Sequence, residues 1–193
     1  MKPLRADAAW FAVPADRSVA GELQAFYEAN PEYWHLMHGH APPPGEAERG
    51  FDARPPEDMP YSDLPNWVIR DRVSGGIVGE VAAATDLPAR GVFHLGFFIV
   101  ATARHGTGFA AEVYDSYETW AIGREARWLR LGVVAANTRA ESFWRAQSYI
   151  EVRRRHDYVL GERTHELTVM VKPVGSTTLT DYLAAVPRDA PDT

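Results

Sequence analysis

The chain has 193 residues, contains no cysteine and carries a formal net charge of −6 at pH 7. Its length suits a single domain, and the lack of cysteine excludes disulfides, thiolate metal ligands and a cysteine nucleophile. The acidic balance argues against a nucleic-acid partner, since such binding depends on lysine and arginine side chains that neutralise phosphates. No apolar run is long enough to span a membrane, and the N-terminus lacks the apolar core of a signal peptide, so we expect a cytoplasmic protein without a membrane partner.

The N-terminal third is predicted to contain one strand, two helices and a long loop. Residues 9–13 are apolar and predict the strand, and Ser18 precedes a helix that continues to about Asn30. Pro31 begins a second, short helix. Residues 41–66 contain clustered prolines, which favours a loop, and we expect this loop to form a wall of the functional site.

The remaining residues alternate between strand and helix patterns. Strands are predicted over residues 67–70, 77–81, 92–100, 128–134, 149–160 and 164–172. Helices are predicted over residues 108–122 and after Asn137. The strand–helix–strand unit that begins at residue 92 predicts a parallel crossover. The fold class is therefore α/β, a single domain with a mixed central β-sheet flanked by helices, and residues 173–193 are predicted to be an appended, partly mobile tail.

A glycine turn with Gly106 and Gly108 joins the strand over residues 92–100 to the next helix. Backbone N–H groups at the start of a helix lie at the positive end of its dipole, so this turn predicts a diphosphate site. The turn also matches a dinucleotide-binding fingerprint, but the next strand ends in Val133–Asn137 without the carboxylate that would bind a ribose. A turn that only joins strand to helix is the other alternative.

A second motif follows the next strand, where Asn137, Ala140, Trp144 and Tyr149 keep the spacing Asn-x-x-Ala, aromatic, aromatic. Together the two motifs resemble the GNAT superfamily of N-acetyltransferases, which bind acetyl-coenzyme A. The resemblance implies the GNAT, or acyl-CoA N-acyltransferase, fold. It spans about residues 8–173.

The family's signature, Arg/Gln-x-x-Gly-x-Gly/Ala, falls on His105, Gly108 and Ala110, so His105 departs from the pattern. Residues 29–34 are similar to one bacterial branch of the family. On this resemblance we expect the family domain over residues 1–173 and a C-terminal tail over residues 174–193.

The resemblance implies acetyl-coenzyme A as the cosubstrate. Backbone N–H groups of the glycine turn would bind its diphosphate, with added charge from Arg104, and its pantetheine arm would pair with the fourth strand. The implied cofactor-binding residues are Phe98, Ile99, Val100, Arg104, His105, Gly106, Thr107, Gly108, Phe109, Ala110, Asn137 and Trp144.

Acetyl transfer to an amine requires a base or a desolvating pocket, because an alkylamine with a pKa near 10.4 is protonated at neutral pH. His94 lies on the fourth strand, where some relatives carry an acidic base, and packing in the core is its other interpretation. Glu80 and Asp86 are the alternative bases. Many relatives use a tyrosine as general acid at the position of Trp144, whose indole cannot supply a proton at neutral pH.

Aromatic residues of the N-terminal half are predicted to bind the acceptor. We expect Tyr33, Trp34 and His38 to line its pocket, and the aromatics Phe51, Tyr61 and Trp67 are further candidates. No metal site is expected, since the cluster of His35, His38 and His40 has no carboxylate or cysteine to complete it.

These patterns predict an N-acetyltransferase that transfers an acetyl group from acetyl-coenzyme A to a primary amine by direct attack in a ternary complex. The acceptor is a small molecule or a peptide, and a homodimer is left open. The alternative is a catalytically weak or inactive module of the same fold that binds acyl-coenzyme A as a sensor or scaffold. A nicotinamide-dependent oxidoreductase is a distant third.

Overall fold

The structure, a computed structural model, describes Leu4 and residues 9–191. Its sheet has the strand order β1-β2-β3-β4-β5-β7-β6. The strands are β1 (Trp10–Pro14), β2 (Asn66–Asp71), β3 (Ile77–Ala84), β4 (Val92–Val100), β5 (Trp128–Val134), β6 (Ile150–Leu160) and β7 (Arg163–Pro173). The helices are α1 (Ala20–Ala29), α2 (Glu32–His38), α3 (Glu46–Asp52), α4 (Phe109–Ile122), α5 (Thr138–Ala146) and α6 (Leu179–Ala185). None of the described helices is long and apolar enough to cross a membrane.

The sheet is mixed because β4 and β5 are parallel whereas the other neighbouring strands are antiparallel. This confirms the α/β prediction, and the predicted parallel crossover is the β4–α4–β5 unit. Pairing between β4 and β5 covers only Val92–Leu95 against Trp128–Leu131. At Gly96 the register of β4 with β3 shifts, which marks a bulge that bends the strand. Residues 97–100 therefore leave β5, and a cleft forms between the strands.

Helices cover both faces of the sheet and divide its core. On one face, Val113 and Tyr117 of α4 pack against Leu95, Leu129 and Leu131. On the other face, α1, α2 and α3 cover one end, where Leu23, Phe26 and Trp34 pack on Val68 and Ile99, and α6 covers the other end. Burying each such large apolar side chain contributes about 1.5–3 kcal/mol, so the core holds β4 and β5 rigidly up to the point where they separate.

A short helix interrupts the region predicted to be a loop. The loop prediction for residues 41–66 is wrong over α3, which begins after Gly45 at a φ of 75°. Ala47 of α3 is buried, and its N–H donates to Oε1 of Gln24 on α1 at 3.3 Å. Tertiary packing against α1 stabilises this helix, and such packing leaves little trace in a proline-rich sequence.

The chain beyond β7 is packed against the sheet. A capping box of Thr178 and Asp181 begins α6, and Tyr182 is fully buried. Asp189 accepts a hydrogen bond from Nε of Arg130 on β5 at 2.7 Å. Residues 174–191 are thus held by the same sheet and not appended to it, because their apolar and charged side chains find partners far away in the sequence. The domain boundary at residue 173 remains a prediction.

Candidate functional site

A cleft of about 480 Å³ lies where β4 and β5 separate. Its walls are the C-terminal half of β4, the loop from Thr102 to Ala110, the start of α5 and one side of α2. The residues predicted to bind the cofactor that line it are Phe98, Ile99, Val100, His105, Gly106, Ala110, Asn137 and Trp144. The sequence motifs on β4, α4 and α5 therefore meet in one cavity, whose volume falls in the range of about 300–1,000 Å³ typical of ligand sites.

The glycine turn presents backbone N–H groups that have no protein partner. Gly106 and Gly108 adopt φ values of 73° and 88°, which glycine tolerates far better than other residues, and α4 begins directly after them. Among the residues that the structure describes, the N–H groups of Gly106, Thr107, Gly108 and Ala110 donate to no protein acceptor. A Cβ placed on either glycine would meet no atom within 4 Å, so this side of the turn is open. These free donors at a helix start suit an anion.

Four of the predicted residues in this loop do not line the cleft, namely Arg104, Thr107, Gly108 and Phe109. Thr107 and Gly108 still belong to the open glycine turn, whereas Arg104 and Phe109 lie elsewhere than expected. Nη2 of Arg104 donates to the Asp71 carboxylate of β2 at 2.5 Å, and its guanidinium lies 5.3 Å from the centre of the Phe109 ring. Phe109 is itself buried in the core. Arg104 is thus outside the cleft, against the prediction that it adds charge there, and its cation is already paired with a carboxylate.

Asn30 holds the start of the loop and was missed by the sequence analysis. Its side chain is buried; Oδ1 accepts from the Thr102 N–H at 2.7 Å, and Nδ2 donates to the Phe26 carbonyl at 2.8 Å. Asn30 also lines the cleft. Its position at the end of α1 predicted only a helix terminus, because a contact across 72 residues has no local pattern.

Arg139 and His105 meet across the cleft. Nη1 of Arg139, in the first turn of α5, donates to Nδ1 of His105 at 2.9 Å. Burial, and then the nearby Arg139 cation, lower the pKa of His105 from its usual value. Arg139 is a second residue that the sequence analysis missed, since nothing in its own helix distinguishes it from a solvent-exposed arginine.

The two predicted residues of α5 form the wall opposite β4. Asn137 caps the helix, with Oδ1 accepting from the Ala140 N–H at 3.1 Å. Trp144 is 7% exposed, and its ring packs edge-on against Phe98 at 5.4 Å between centroids. Trp144 therefore shapes the cleft through packing, while Asn137 lies at the cleft wall and also begins the helix.

Glu80 is a buried carboxylate beside the cleft. It lies on β3 opposite Ile99, accepts a hydrogen bond from the Tyr27 hydroxyl and accepts another from Nδ2 of Asn66 at 2.9 Å. Burial raises the pKa of Glu80, although the hydrogen bonds from Tyr27 and Asn66 oppose that shift. Its donors are neutral, so the carboxylate can accept a proton without first breaking an ion pair.

His94 is held in a different network, away from the cleft. Its Nδ1 lies 3.1 Å from Nη1 of Arg130, which itself pairs with Asp189. Burial, and then the Arg130 cation, lower the pKa of His94 to about 3. His94 pairs with Ala84, four residues beyond Glu80 on β3, which is a separation of roughly 13 Å along the strand. A neutral imidazole with this pKa is a poor base at pH 7, so the structure argues against the prediction that His94 is the base.

The alternative base Asp86 stabilises the turn between β3 and β4. Its Oδ1 accepts from the Gly91 N–H and its Oδ2 from the Ser62 hydroxyl, both at 2.6 Å. It does not line the cleft. Glu80 does not line the cleft either, but among the predicted bases it is the one whose strand partner, Ile99, does line it.

Tyr33 is the predicted acceptor residue that lines the cleft. Its ring packs edge-on against Phe97 of β4 at 5.2 Å and against Trp34 at 5.1 Å. Trp34 is 2% exposed and packs against the Tyr33 ring, but it does not line the cleft itself. His38 ends α2, where its carbonyl accepts from the Glu162 N–H of the β6–β7 turn at 3.0 Å.

The further aromatic candidates are dispersed. Trp67 is fully buried on the opposite face of the sheet, with its ring 4.7 Å from that of Trp120. Phe51 packs on the α1 cluster, and Tyr61 is exposed. Within the described part of the chain, no group of three or more His, Asp or Glu side chains is arranged to hold a metal ion.

Comparisons with known proteins agree with this geometry. Residues 23–149, more than half of the chain, match the family model described as the acetyltransferase (GNAT) family. An acetyltransferase from Thermus thermophilus has a TM-score of 0.65 and 20% identity, over 90% of this chain and 100% of that chain. The ribosomal-protein-S18-alanine N-acetyltransferase from Escherichia coli has a TM-score of 0.63 and 12% identity, over 88% of this chain and 97% of that chain.

A third similar structure is a GCN5-related N-acetyltransferase from Kribbella flavida, with a TM-score of 0.63 and 18% identity, over 86% of this chain and 98% of that chain. At these identities the structural likeness shows the fold alone. A search of curated proteins found no match.

Proposed function

Because the chain belongs to the GNAT family of acetyltransferases, we propose that it transfers an acetyl group from acetyl-coenzyme A to a primary amine, with both substrates bound at once. The observation that supports this most is the set of four N–H groups that donate to no acceptor among the described residues, those of Gly106, Thr107, Gly108 and Ala110. They lie where α4 begins, beside the cleft that β4 and β5 form. An acyl-coenzyme A molecule has the matching parts, a diphosphate and an extended amide-containing arm.

The cleft residues fit that cosubstrate. The free N–H groups and the dipole of α4 would bind the diphosphate, since both favour negative charge at a helix start. Residues 97–100 of β4 have no β5 partner, so their backbone groups on that side, apart from the Val100 carbonyl that faces His105, are available to an extended arm. Asn137 and Trp144 would contact the arm from α5. When bound, the acetyl thioester supplies the acyl group and a thiolate leaving group.

Glu80 is the proposed general base. An alkylammonium has a pKa of about 10.4 and must lose a proton before its nitrogen can form a bond to the acyl carbon. Glu80 would take that proton, directly or through one water, and pass it to solvent. Burial raises its pKa toward the working range of a base, while Tyr27 and Asn66 hold both of its oxygens in place.

No acid is required for the leaving sulfur. Trp144 occupies the family's tyrosine position, and its indole N–H cannot supply a proton at neutral pH. A thiol has a pKa of about 8.5, so the thiolate departs with the bonding electrons of the broken C–S bond and takes its proton from water. In this account Trp144 packs against the reacting groups and excludes water from them.

The acceptor would lie on the α2 side of β4, beside Tyr33. Phe97, Tyr33, Trp34 and Tyr27 form a continuous aromatic cluster, and its member Tyr27 donates to the Glu80 carboxylate. Aromatic faces and a carboxylate both attract ammonium groups. An amine on an apolar or aromatic body, from a small molecule or a peptide, fits these surroundings.

The test is turnover with acetyl-coenzyme A and a panel of arylalkylamines, polyamines and peptides with a free N-terminus. Release of free thiol that depends on the amine, together with a mass increase of the amine by one acetyl group, supports the proposal. If the protein binds coenzyme A tightly but no amine of the panel releases thiol, the sensor or scaffold function is supported instead.

A further inference from the structure

His105 stands where the family's signature has arginine or glutamine, and the neighbouring Arg104 is paired with Asp71. A diphosphate at the start of α4 would nevertheless meet a cation. Two basic residues line the described cleft, His105 on the loop and Arg139 on α5, and they contact each other.

The guanidinium of Arg139 has no carboxylate partner among the described residues; the hydrogen bond recorded for it goes to Nδ1 of His105 at 2.9 Å. Arg145, on the same helix, pairs with both Glu141 and Glu151. An arginine whose charge no carboxylate compensates, at the wall of a cleft, retains its full capacity to bind an anion, and its fork of donors matches phosphate oxygens.

The contact with Arg139 fixes the protonation state of His105. Guanidinium groups only donate, so Nδ1 of His105 must accept, and its proton lies on Nε2. The other groups that face this ring are Glu32 of α2 and the Val100 carbonyl of β4. These two favour the charged ring, but burial and Arg139 outweigh them, so the pKa of His105 is lowered and the ring is neutral at pH 7.

We propose that His105 and Arg139 form a clamp that binds the coenzyme's diphosphate and takes up a proton when it closes. An arriving diphosphate turns the donors of Arg139 toward its oxygens, which leaves Nδ1 of His105 without its donor. Nδ1 then accepts a proton from solvent, and the imidazolium becomes a second charged donor to the same anion. This inference rests on the proposed cosubstrate. It assigns to Arg139 of α5 the positive charge that the family's signature can supply with an arginine at the position of His105.

The experiment is calorimetric binding of dephospho-coenzyme A at pH 7, in two buffers with different ionisation enthalpies. This probe carries the diphosphate but no terminal phosphate that titrates near neutrality, so the difference in heat measures protons taken up by the protein. The clamp predicts an uptake of about 0.3–1 proton per ligand by the wild-type protein. His105→Gln should still bind and should take up essentially none.

Arg139→Ala should weaken binding of dephospho-coenzyme A by roughly 10- to 100-fold, the value of hydrogen bonds to a charged group. Arg90→Ala is the matched control, because Arg90 is exposed and lies before the other end of β4. Equal midpoints of thermal unfolding for both variants would show that the lower affinity of Arg139→Ala does not come from a folding defect.

Three outcomes would overturn the clamp while leaving the proposed function standing. In the first, the wild-type protein binds dephospho-coenzyme A without taking up a proton. In the second, Arg139→Ala binds it as tightly as the wild type does. In the third, Arg139→Ala loses affinity for coenzyme A but not for its dephospho form, which would place Arg139 on the terminal phosphate. Wild-type protein that binds neither ligand would overturn the proposed function as well.

Discussion

The two ends of the β4–β5 pair differ in how their polar groups are satisfied. At the paired end, over Val92–Leu95, the ladder is complete and a largely buried network joins His94, Arg130 and Asp189. At the diverging end the ladder stops, and the N–H groups of Gly106, Thr107, Gly108 and Ala110 have no acceptor in the part of the chain that the structure describes. Buried polar groups that lack partners are costly, so proteins keep unpaired donors where a ligand or water supplies the partner. One end of the strand pair stabilises the fold, and the other is available for binding.

The largest effect is expected from Glu80→Gln, which removes a proposed base beside the diverging end. We expect kcat to fall by roughly 10²- to 10⁴-fold, the usual contribution of a positioned base, with little change in KM for acetyl-coenzyme A. Steady-state kinetics with an amine identified in the panel measure this. His94→Gln is the matched control, and a similar loss of kcat there would contradict the assignment of the two residues.

A substitution at the paired end should instead change stability. Asp189→Ala leaves Arg130 buried without its carboxylate, which costs about 3–5 kcal/mol in the free energy of unfolding. Urea unfolding measures the change. Tyr182→Phe, which removes only one neutral donor to Asp189 at 2.6 Å, should cost about 1 kcal/mol. Similar costs for the two variants would mean that the ion pair does not hold α6 to the sheet.

The paired end should also make stability depend on pH. The pKa of His94 is about 3 in the folded protein, below its ordinary unfolded value of about 6.5, so the unfolded chain binds more protons between these values. The stability that the neutral His94 contributes is fully present above pH 6.5 and is lost as the pH falls below that value. Between pH 6.5 and 5.5, His94 should account for about 1 kcal/mol of the lost stability.

His94→Gln isolates this contribution, because glutamine can still accept from Arg130 but does not titrate. Its unfolding free energy should therefore fall less than that of the wild type over the same pH interval. Parallel curves for the two proteins would show that His94 is not buried in its neutral form.

The smallest effect is expected from alanine at the glycine turn. Gly108→Ala imposes a φ of 88° on a residue with a Cβ, which costs about 1 kcal/mol of stability, and any shift of the turn weakens coenzyme A binding. Gly45→Ala imposes similar strain, at a φ of 75°, at the start of α3, no residue of which lines the cleft. It should destabilise the protein equally without changing coenzyme A affinity, and equal losses of affinity would contradict a local role for the turn.

At both ends of the β4–β5 pair, the sequence predicts features that depend on neighbouring residues, but not contacts between residues that are far apart in the chain. The strand–glycine–helix pattern and the Asn137 cap are local, so they placed the turn and the start of α5 correctly. The ion pair of Arg104 with Asp71 spans 33 residues and that of Arg130 with Asp189 spans 59. Neither leaves a periodic pattern, so the sequence predicts Arg104 in the cleft and leaves His94 open between catalysis and packing.

The same limit hid Asn30 and Arg139, each of which acts across the fold on the loop that precedes α4. Glu80 was named as an alternative base, but its burial and its contact with Tyr27, 53 residues away, became visible only in the structure. Local chemistry therefore indicated the type of ligand, whereas the residues around the reacting groups depended on long-range packing.

The most direct test of the account is the response of backbone N–H groups to coenzyme A in a heteronuclear NMR titration. We predict saturable shifts of the N–H signals of Gly106, Thr107, Gly108 and Ala110, and no comparable shifts over Val92–Leu95. Binding of coenzyme A with these four signals unchanged would contradict the claim that the start of α4 holds the diphosphate.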